Sequence, residues 1–357
     1  MFQLRDKALA RTVVERLRER GRPLVAMHVC GTHQDTIVRH GLDGLLEGCN
    51  VRIVQGPGCP VCVTTPREIE MAIALAEAGI TVATFGDMLR VPGADGSLQT
   101  VKAGGADVRV VYDINEAIKM ATGGTEVVFI AVGFETTAPT SAAALLRDLP
   151  DTFSVLSCHR VIPPAVEAIL AAGEVALDGI IDPGHVSVII GTSPYEEISR
   201  RHGIPQVVAG FEPVDVLMGI WMLARQVDEG RAEVENEYRR AVSPEGNPRA
   251  LQATDEVFEP VDASWRGFPV IPDSKLALRS RFAGHDAARR YEDVLAPVMD
   301  MDFEEPPGCI CGDVLRGVCT PEECSLFGTK CTPRHPVGPC MVSREGSCNI
   351  AFRYSHD

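Results

Sequence analysis

Glu126-Val127-Val128-Phe129-Ile130-Ala131-Val132 runs into Gly133-Phe134-Glu135-Thr136-Thr137-Ala138-Pro139 and then into an Ala-rich stretch at 140–149. An apolar β-branched run, a Gly/Thr turn and a helical segment in that order read as one strand–turn–helix unit of a parallel α/β sheet. Downstream, 154–156 reads as the next strand, 163–172 as a Pro-started helix, 179–181 and 206–208 as short strands and 214–229 as a helix. Upstream, the same alternation runs through strand 23–29, helix 36–46, strand 51–54, helix 66–78 and strands 80–85 and 108–111. Thr65 and Glu68 stand at capping-box spacing, with Pro66 at the first helical position. The two runs share an order of strand, turn, helix, strand, turn and Pro-started helix. They predict two Rossmann-like parallel-sheet domains related by internal duplication, spanning 21–122 and 123–230.

Past residue 230 the pattern changes. A charged helix is expected at 231–241, then Pro- and Gly-rich segments, then an Arg-rich helix at 287–295. The tail from 304 is dense in Gly, Pro and Cys and carries little periodicity. Such a segment cannot bury enough apolar surface by itself, so a metal centre is expected to organise it. Residues 231–357, with an N-terminal helix at 1–20, are read as a third, Cys-rich domain.

Composition narrows the function. The 357 residues are 45% hydrophobic and 23% charged, ordinary for a globular protein, and no apolar run reaches the ~20 residues that span a bilayer. The charged N-terminal stretch lacks the apolar centre of a signal peptide, so the cytoplasm is the expected compartment. A net charge of −15 without a basic patch argues against nucleic acid as a partner. Twelve cysteines in a reducing compartment point to metal binding or redox chemistry rather than structural disulfides. Five of them precede residue 160 and seven crowd between Cys309 and Cys348.

The cysteines fall into separate sites. Cys30, in Cys-Gly-Thr-His-Gln at 30–34, ends a predicted strand and opens a helix, where the helix N-terminus favours a thiolate. His33 is a candidate ligand or proton carrier beside it. Cys59 and Cys62, in Gly-Pro-Gly-Cys-Pro-Val-Cys at 56–62, form a Cys-x-x-Cys pair suited to dithiol–disulfide cycling, with half a zinc site as the alternative. Glu135, in the corresponding turn of the second unit, is a candidate acid or base, or a polar anchor facing Cys30. His159 and His185, at later strand ends, read as hydrogen-bonded structural residues, and Cys49 as a buried thiol. Neither a Walker motif nor a Gly-x-Gly-x-x-Gly fingerprint is present, which disfavours a nucleotide. The tail thiols Cys309, Cys311, Cys319, Cys324, Cys331, Cys340 and Cys348 lack the paired Cys-x-x-Cys of zinc ribbons and lean towards iron–sulfur, without showing which four bind.

These stretches resemble the HypD family of [NiFe]-hydrogenase maturation factors. The resemblance is carried by the three motifs above, by Pro-Gly-His-Val at 183–186 and Gly-Phe-Glu-Pro-Val-Asp at 210–215, and by the tail from Cys-Ser-Leu-Phe-Gly-Thr-Lys-Cys-Thr-Pro through Gly-Pro-Cys-Met-Val-Ser. It implies two similar α/β domains and a third domain holding a [4Fe–4S] cluster. The family's spacing Cys-x14-Cys-x6-Cys-x16-Cys falls here on Cys309, Cys324, Cys331 and Cys348, leaving out Cys311, Cys319 and Cys340. Its iron-holding cysteine falls on Cys30 and its redox pair on Cys59 and Cys62. Cys49 and Cys158 match no functional position.

The implied role is an assembly scaffold with redox activity rather than a conventional turnover enzyme. With a HypC-type chaperone, it would build an Fe(CN)2CO unit from cyanide delivered by HypE and pass it to a hydrogenase large subunit. The competing expectation is a stand-alone thiol-disulfide oxidoreductase carrying an iron–sulfur cluster. A third reading makes the tail a zinc-bound interaction module.

Overall fold

The computed structural model describes residues 6–94 and 96–355. Its eleven strands are β1 Leu24–His28, β2 Val51–Gln55, β3 Thr81–Thr84, β4 Val108–Val110, β5 Val127–Gly133, β6 Phe153–His159, β7 Gly179–Pro183, β8 Gln206–Ala209, β9 Val234–Asn236, β10 Phe258–Ser264 and β11 Val270–Leu278. One sheet has the order β2-β1-β7-β8-β9 and a second the order β4-β3-β5-β6. Every neighbouring pair in both is parallel. β5, the segment that opened the sequence reading, is buried at all seven positions, as a central parallel strand should be.

Sheet membership does not follow a boundary at 122/123. β1 pairs with β7 through Ala26↔Gly179, and β3 pairs with β5 through Val82↔Val128. The second sheet is thus built from chain inserted between β2 and β7 of the first. Helix Pro66–Glu77 carries the chain out and helix Ile162–Ala172 brings it back. Periodicity reports each βα unit but not which strand it will pair with, so a contiguous split was the wrong inference. The N-terminal helix Lys7–Arg20 also belongs to the first sheet's layer. It buries Val13, Val14 and Leu17, packs on helix Pro213–Glu229, and pairs Arg20 with Asp228 at 2.8 Å. Residues 1–5 of that expected helix, and 356–357 of the tail, lie outside the described residues.

One local expectation fails, and one stretch holds structure that the sequence reading left unassigned. Residues 231–241 hold no helix: Val234–Asn236 is the edge strand β9, paired to β8, and Arg231 is held by Glu229, Glu233 and Glu235. The charge pattern that read as a helical face serves this cluster instead. The Pro- and Gly-rich stretch contains the antiparallel hairpin β10–β11. Phe258–Ser264 alternates inward and outward along its length, a period-2 signal obscured by Pro260. Among the described residues no helix is long and apolar enough to cross a membrane.

Glu68 locks the crossover helix to both neighbouring layers. It completes the capping box with Thr65, accepts from Arg160 at 2.7 Å at the end of β6, and accepts from Lys275 at 2.8 Å on β11. Burial alone would raise its carboxyl, but the facing Arg160 guanidinium and Lys275 ammonium outweigh that and hold it well below the carboxylate range. Arg160 and Glu68 expose only 2% and 7% of their side chains, so losing one partner strands a buried charge. Glu68→Ala is expected to cost about 3–5 kcal/mol in urea denaturation at neutral pH. Because the folded carboxyl is depressed, its stabilisation is present above the ordinary carboxylate range and lost as pH falls. The gap between wild type and variant should therefore shrink in acid.

Candidate functional site

The order β2-β1-β7-β8-β9 puts the first sheet's topological switch point between β1 and β7, where ligands bind beyond the carboxyl ends of the strands. β1 leads into Cys30, the residue that precedes helix Gly31–Arg39, and β7 leads through Pro183 into His185. Cys30 Sγ and His185 Nδ1 lie 3.8 Å apart, within hydrogen-bonding range for sulfur. His185, expected to be merely structural, is therefore the imidazole that meets Cys30. His33 is not: its Nε2 donates to the Gly210 carbonyl at 2.9 Å, and its ring packs on Phe211. Burial, with His28 adding, drives His33 down to about 3, so it is a neutral brace between the end of β8 and helix Gly31–Arg39. His159 bonds Ser141 at 3.0 Å and keeps its structural reading.

The Gly56–Cys62 loop lies directly on Cys30. Gly31 N–H donates to Gly58 O at 3.0 Å, and a Cβ on Gly58 would fall 2.2 Å from Cys30 N, so no other residue fits at 58. Cys59 and Cys62 are joined by a disulfide, with Cα atoms 5.2 Å apart, and both are buried. Glu135 arrives from β5 and is also buried; its Oε1 accepts from Ile162 N–H at 2.7 Å. Burial raises its carboxyl to about 7. From the tail, the turn at Glu345 presses its backbone against Gly31. A cavity of about 350 Å³ opens where these pieces meet, lined by Thr32, Pro60, Phe134, Thr136, His185 and Glu345 among others.

Cys30 is not a ready thiolate. Burial pushes the thiol up to about 12, with the Glu345 charge adding to it, and the backbone N–H groups of His33 and Thr32 oppose this only in part. Desolvation thus outweighs the helix-terminus effect expected from the sequence. Such a thiol ionises when a metal ion replaces its proton.

In the tail, Cys309, Cys311, Cys324, Cys331 and Cys348 line one small cavity walled by Val314, Leu326, Phe327 and Met341. Cys309 and Cys311 Sγ are 3.3 Å apart, and Val337 N–H donates to Cys331 Sγ at 3.3 Å. Gly338 is a cradle: a Cβ there would lie 2.5 Å from Cys311 Sγ and 2.7 Å from Cys309 Sγ. Hydrogen bonds from Cys311 and Cys340 pull Cys348 down to about 6, while the same crowding raises Cys340 and Cys309. Five soft donors around an apolar hollow, one already acidic, fit an iron–sulfur cluster. They line the hollow rather than converge, and among the described residues no three His, Cys, Asp or Glu are arranged to hold a single metal ion.

Cys311 and Cys340, outside the family spacing, thus join the thiol group. Cys49 is a core thiol bonded to the Leu45 carbonyl, and Cys158 is buried beside Glu68. The two sites touch: helix Pro339–Val342, which carries Cys340, packs against helix Pro60–Val63, which carries Cys62.

Comparison with known proteins follows the same residues end to end. The family model of HypD, described as the hydrogenase formation hypA family, matches residues 6–355. A Methanocaldococcus jannaschii protein named for hydrogenase expression and formation is 47% identical over 363 residues, covering 99% of each chain. The hydrogenase maturation factor HypD of Cupriavidus necator is 45% identical, over 99% of this chain and 96% of its own. The hydrogenase expression/formation protein HupD of Azotobacter chroococcum is 43% identical over the same shares.

With its thiol near 12, Cys30 should resist iodoacetamide in the folded protein at neutral pH, its labelling rate still climbing at about pH 10. Peptide mass spectrometry reads this directly. A rate that levels off near the ordinary thiol range contradicts the burial argument.

Proposed function

The chain belongs to the HypD family of hydrogenase formation proteins, and from that premise we propose that it is the scaffold on which a hydrogenase's iron receives its diatomic ligands. The observation that supports this most directly is the convergence of His185, the Cys59–Cys62 loop, the 133–139 turn and Glu345 on one cavity, with Cys30 Sγ 3.8 Å from the His185 ring.

In this reading Cys30 and a cysteine of a HypC-type chaperone hold ferrous iron as cargo. A soft thiolate suits iron and leaves positions open for cyanide and carbon monoxide. Cyanide arrives from a HypE-type donor as a thiocyanate. Splitting its S–C bond takes two electrons, which the Cys59/Cys62 dithiol supplies on closing to the disulfide. Of the two thiol protons, one goes to the departing sulfur and one leaves the site, while cyanide passes to iron. Cys309, Cys324, Cys331 and Cys348 are the residues that would hold a [4Fe–4S] cluster, which supplies single electrons when bound. The finished Fe(CN)2CO unit then goes to the hydrogenase large subunit, and the work is placed in the cytoplasm.

A second reading, a stand-alone thiol-disulfide oxidoreductase, draws on the Cys59–Cys62 bond alone. Both cysteines are at most 1% exposed, which disfavours a freely diffusing disulfide substrate.

Infrared spectra of anaerobically purified protein, co-expressed with its maturation partners, separate the two. Cyanide and carbonyl stretches should appear in wild type and vanish in Cys30→Ala. Cys62→Ser should keep bound iron but lose the cyanide bands. Wild type without either band, in a preparation with full iron–sulfur absorption and bound partner, would contradict the scaffold.

A further inference from the structure

The turn of the β10–β11 hairpin opens with two large buried side chains, Trp265 and Arg266, although hairpin turns ordinarily lie in solvent. Each of its first three residues meets a different part of the chain. The Trp265 indole stacks on Phe134, with ring centroids 5.9 Å apart and planes inclined by 23°. Phe134 belongs to the 133–139 turn and lines the scaffold cavity. Arg266 N–H donates to Val63 O at 2.9 Å, and Val63 directly follows Cys62. Gly267 lies so close to Gly312 that a Cβ on it would fall 2.3 Å from Gly312 Cα. Gly312 in turn follows Cys311, one of the tail thiols. The scaffold reading gives these three residues no task.

The Arg266 side chain anchors the corner from behind. Its guanidinium is buried and stands 3.1 Å from the half-buried Glu305, in the segment that leads into Cys309. Arg266 Nη1 and Glu305 Oε2 have no hydrogen bond among the described residues, so each charge depends on the other. The Glu305 segment is itself tied down by Arg67, on the helix that follows the redox loop. Arg67 donates to Val298 O at 3.0 Å and to Met301 O at 2.9 Å, and lies over the Phe303 ring. Two long-range backbone bonds therefore bracket the disulfide loop. Gly31 N–H reaches Gly58 O before Cys59, and Arg266 N–H reaches Val63 O after Cys62. A disulfide is stable in proportion to the effective concentration of one thiol at the other, which depends on how firmly the ends of its loop are held.

We propose that Trp265 and Arg266 are positioning residues for the Cys59–Cys62 pair. They hold the trailing end of its loop between the scaffold cavity and the tail thiols, and so set how readily the disulfide opens. Their use rests on the scaffold reading, in which this pair supplies electrons. Reduction breaks the S–S bond and forms two S–H bonds, taking two electrons and two protons from a dithiol reductant that closes to its own disulfide. Both residues act on the pair through Val63 and Phe134.

The experiment is a redox titration of the full chain in anaerobic dithiothreitol buffers, stopped by alkylation. It is read on the tryptic peptide Ile53–Arg67, which carries Cys59 and Cys62 and no other cysteine. In Arg266→Ala the disulfide should open about tenfold more readily than in wild type, a rise in midpoint of about 30 mV. Trp265→Leu should shift it in the same direction, and the conservative Arg266→Lys and Trp265→Phe should bring it back towards wild type. Asp228→Ala, which breaks the ion pairs to Arg20 and Arg22, controls for lost stability and should leave the midpoint in place. If Arg266→Ala does not fold, Trp265→Leu carries the test. Wild-type midpoints in the folded variants, or an equal shift in Asp228→Ala, overturn the positioning role and leave the electron-donor reading standing. The expected shifts, together with cyanide bands that survive Cys62→Ser, would count against the scaffold reading alone.

Discussion

Backbone meets backbone at Cys30. Gly58 approaches so closely that a Cβ would fall 2.2 Å from the Cys30 nitrogen, and the Glu345 turn presses from the other side onto Gly31. Everything else in the site is arranged around that three-way contact. It fixes the distance between Cys30 and the loop that carries the disulfide. It also ties both to a tail that carries Cys340 and Cys348 on either side of Glu345. The tail helix adds a second tether through Arg353 and Tyr354, which both donate to Asp35 on helix Gly31–Arg39.

The contact explains why the local electrostatics run against simple expectation. A cysteine at a helix N-terminus is ordinarily activated, but here three segments close over it and water is excluded. Desolvation then favours every neutral form: a raised Cys30 and Glu135, a lowered His185 at about 4 and a lowered His33. A site that keeps its groups neutral avoids burying unpaired charge, which is among the most expensive things a core can hold. In the scaffold reading, specificity then follows from what displaces the proton. A soft metal ion does so at a thiol, whereas a hard one prefers oxygen donors.

Much of this was legible in the chain. The Thr65–Glu68 capping box, the fully buried β5 and the placement of Cys30 at a strand end all follow from local pattern, because hydrogen-bonding and burial periodicity are local facts. Sheet membership was not, because β1 finds β7 across more than 150 residues and nothing local encodes that pairing. The same blindness hid His185, which gains its meaning only when β7 is set beside β1. Cys311 and Cys340 were set aside for falling outside a linear spacing, yet folding brings them against Cys348.

The central claim is that one chain holds iron in two places for two purposes, and diffraction at the iron absorption edge tests it most directly. Crystals of anaerobically purified protein with its chaperone should give anomalous density in the hollow beneath Gly338 and a second peak beside Cys30 Sγ. Density at the zinc edge alone, or none within bonding distance of Cys30 in a crystal that contains the chaperone, would contradict the account.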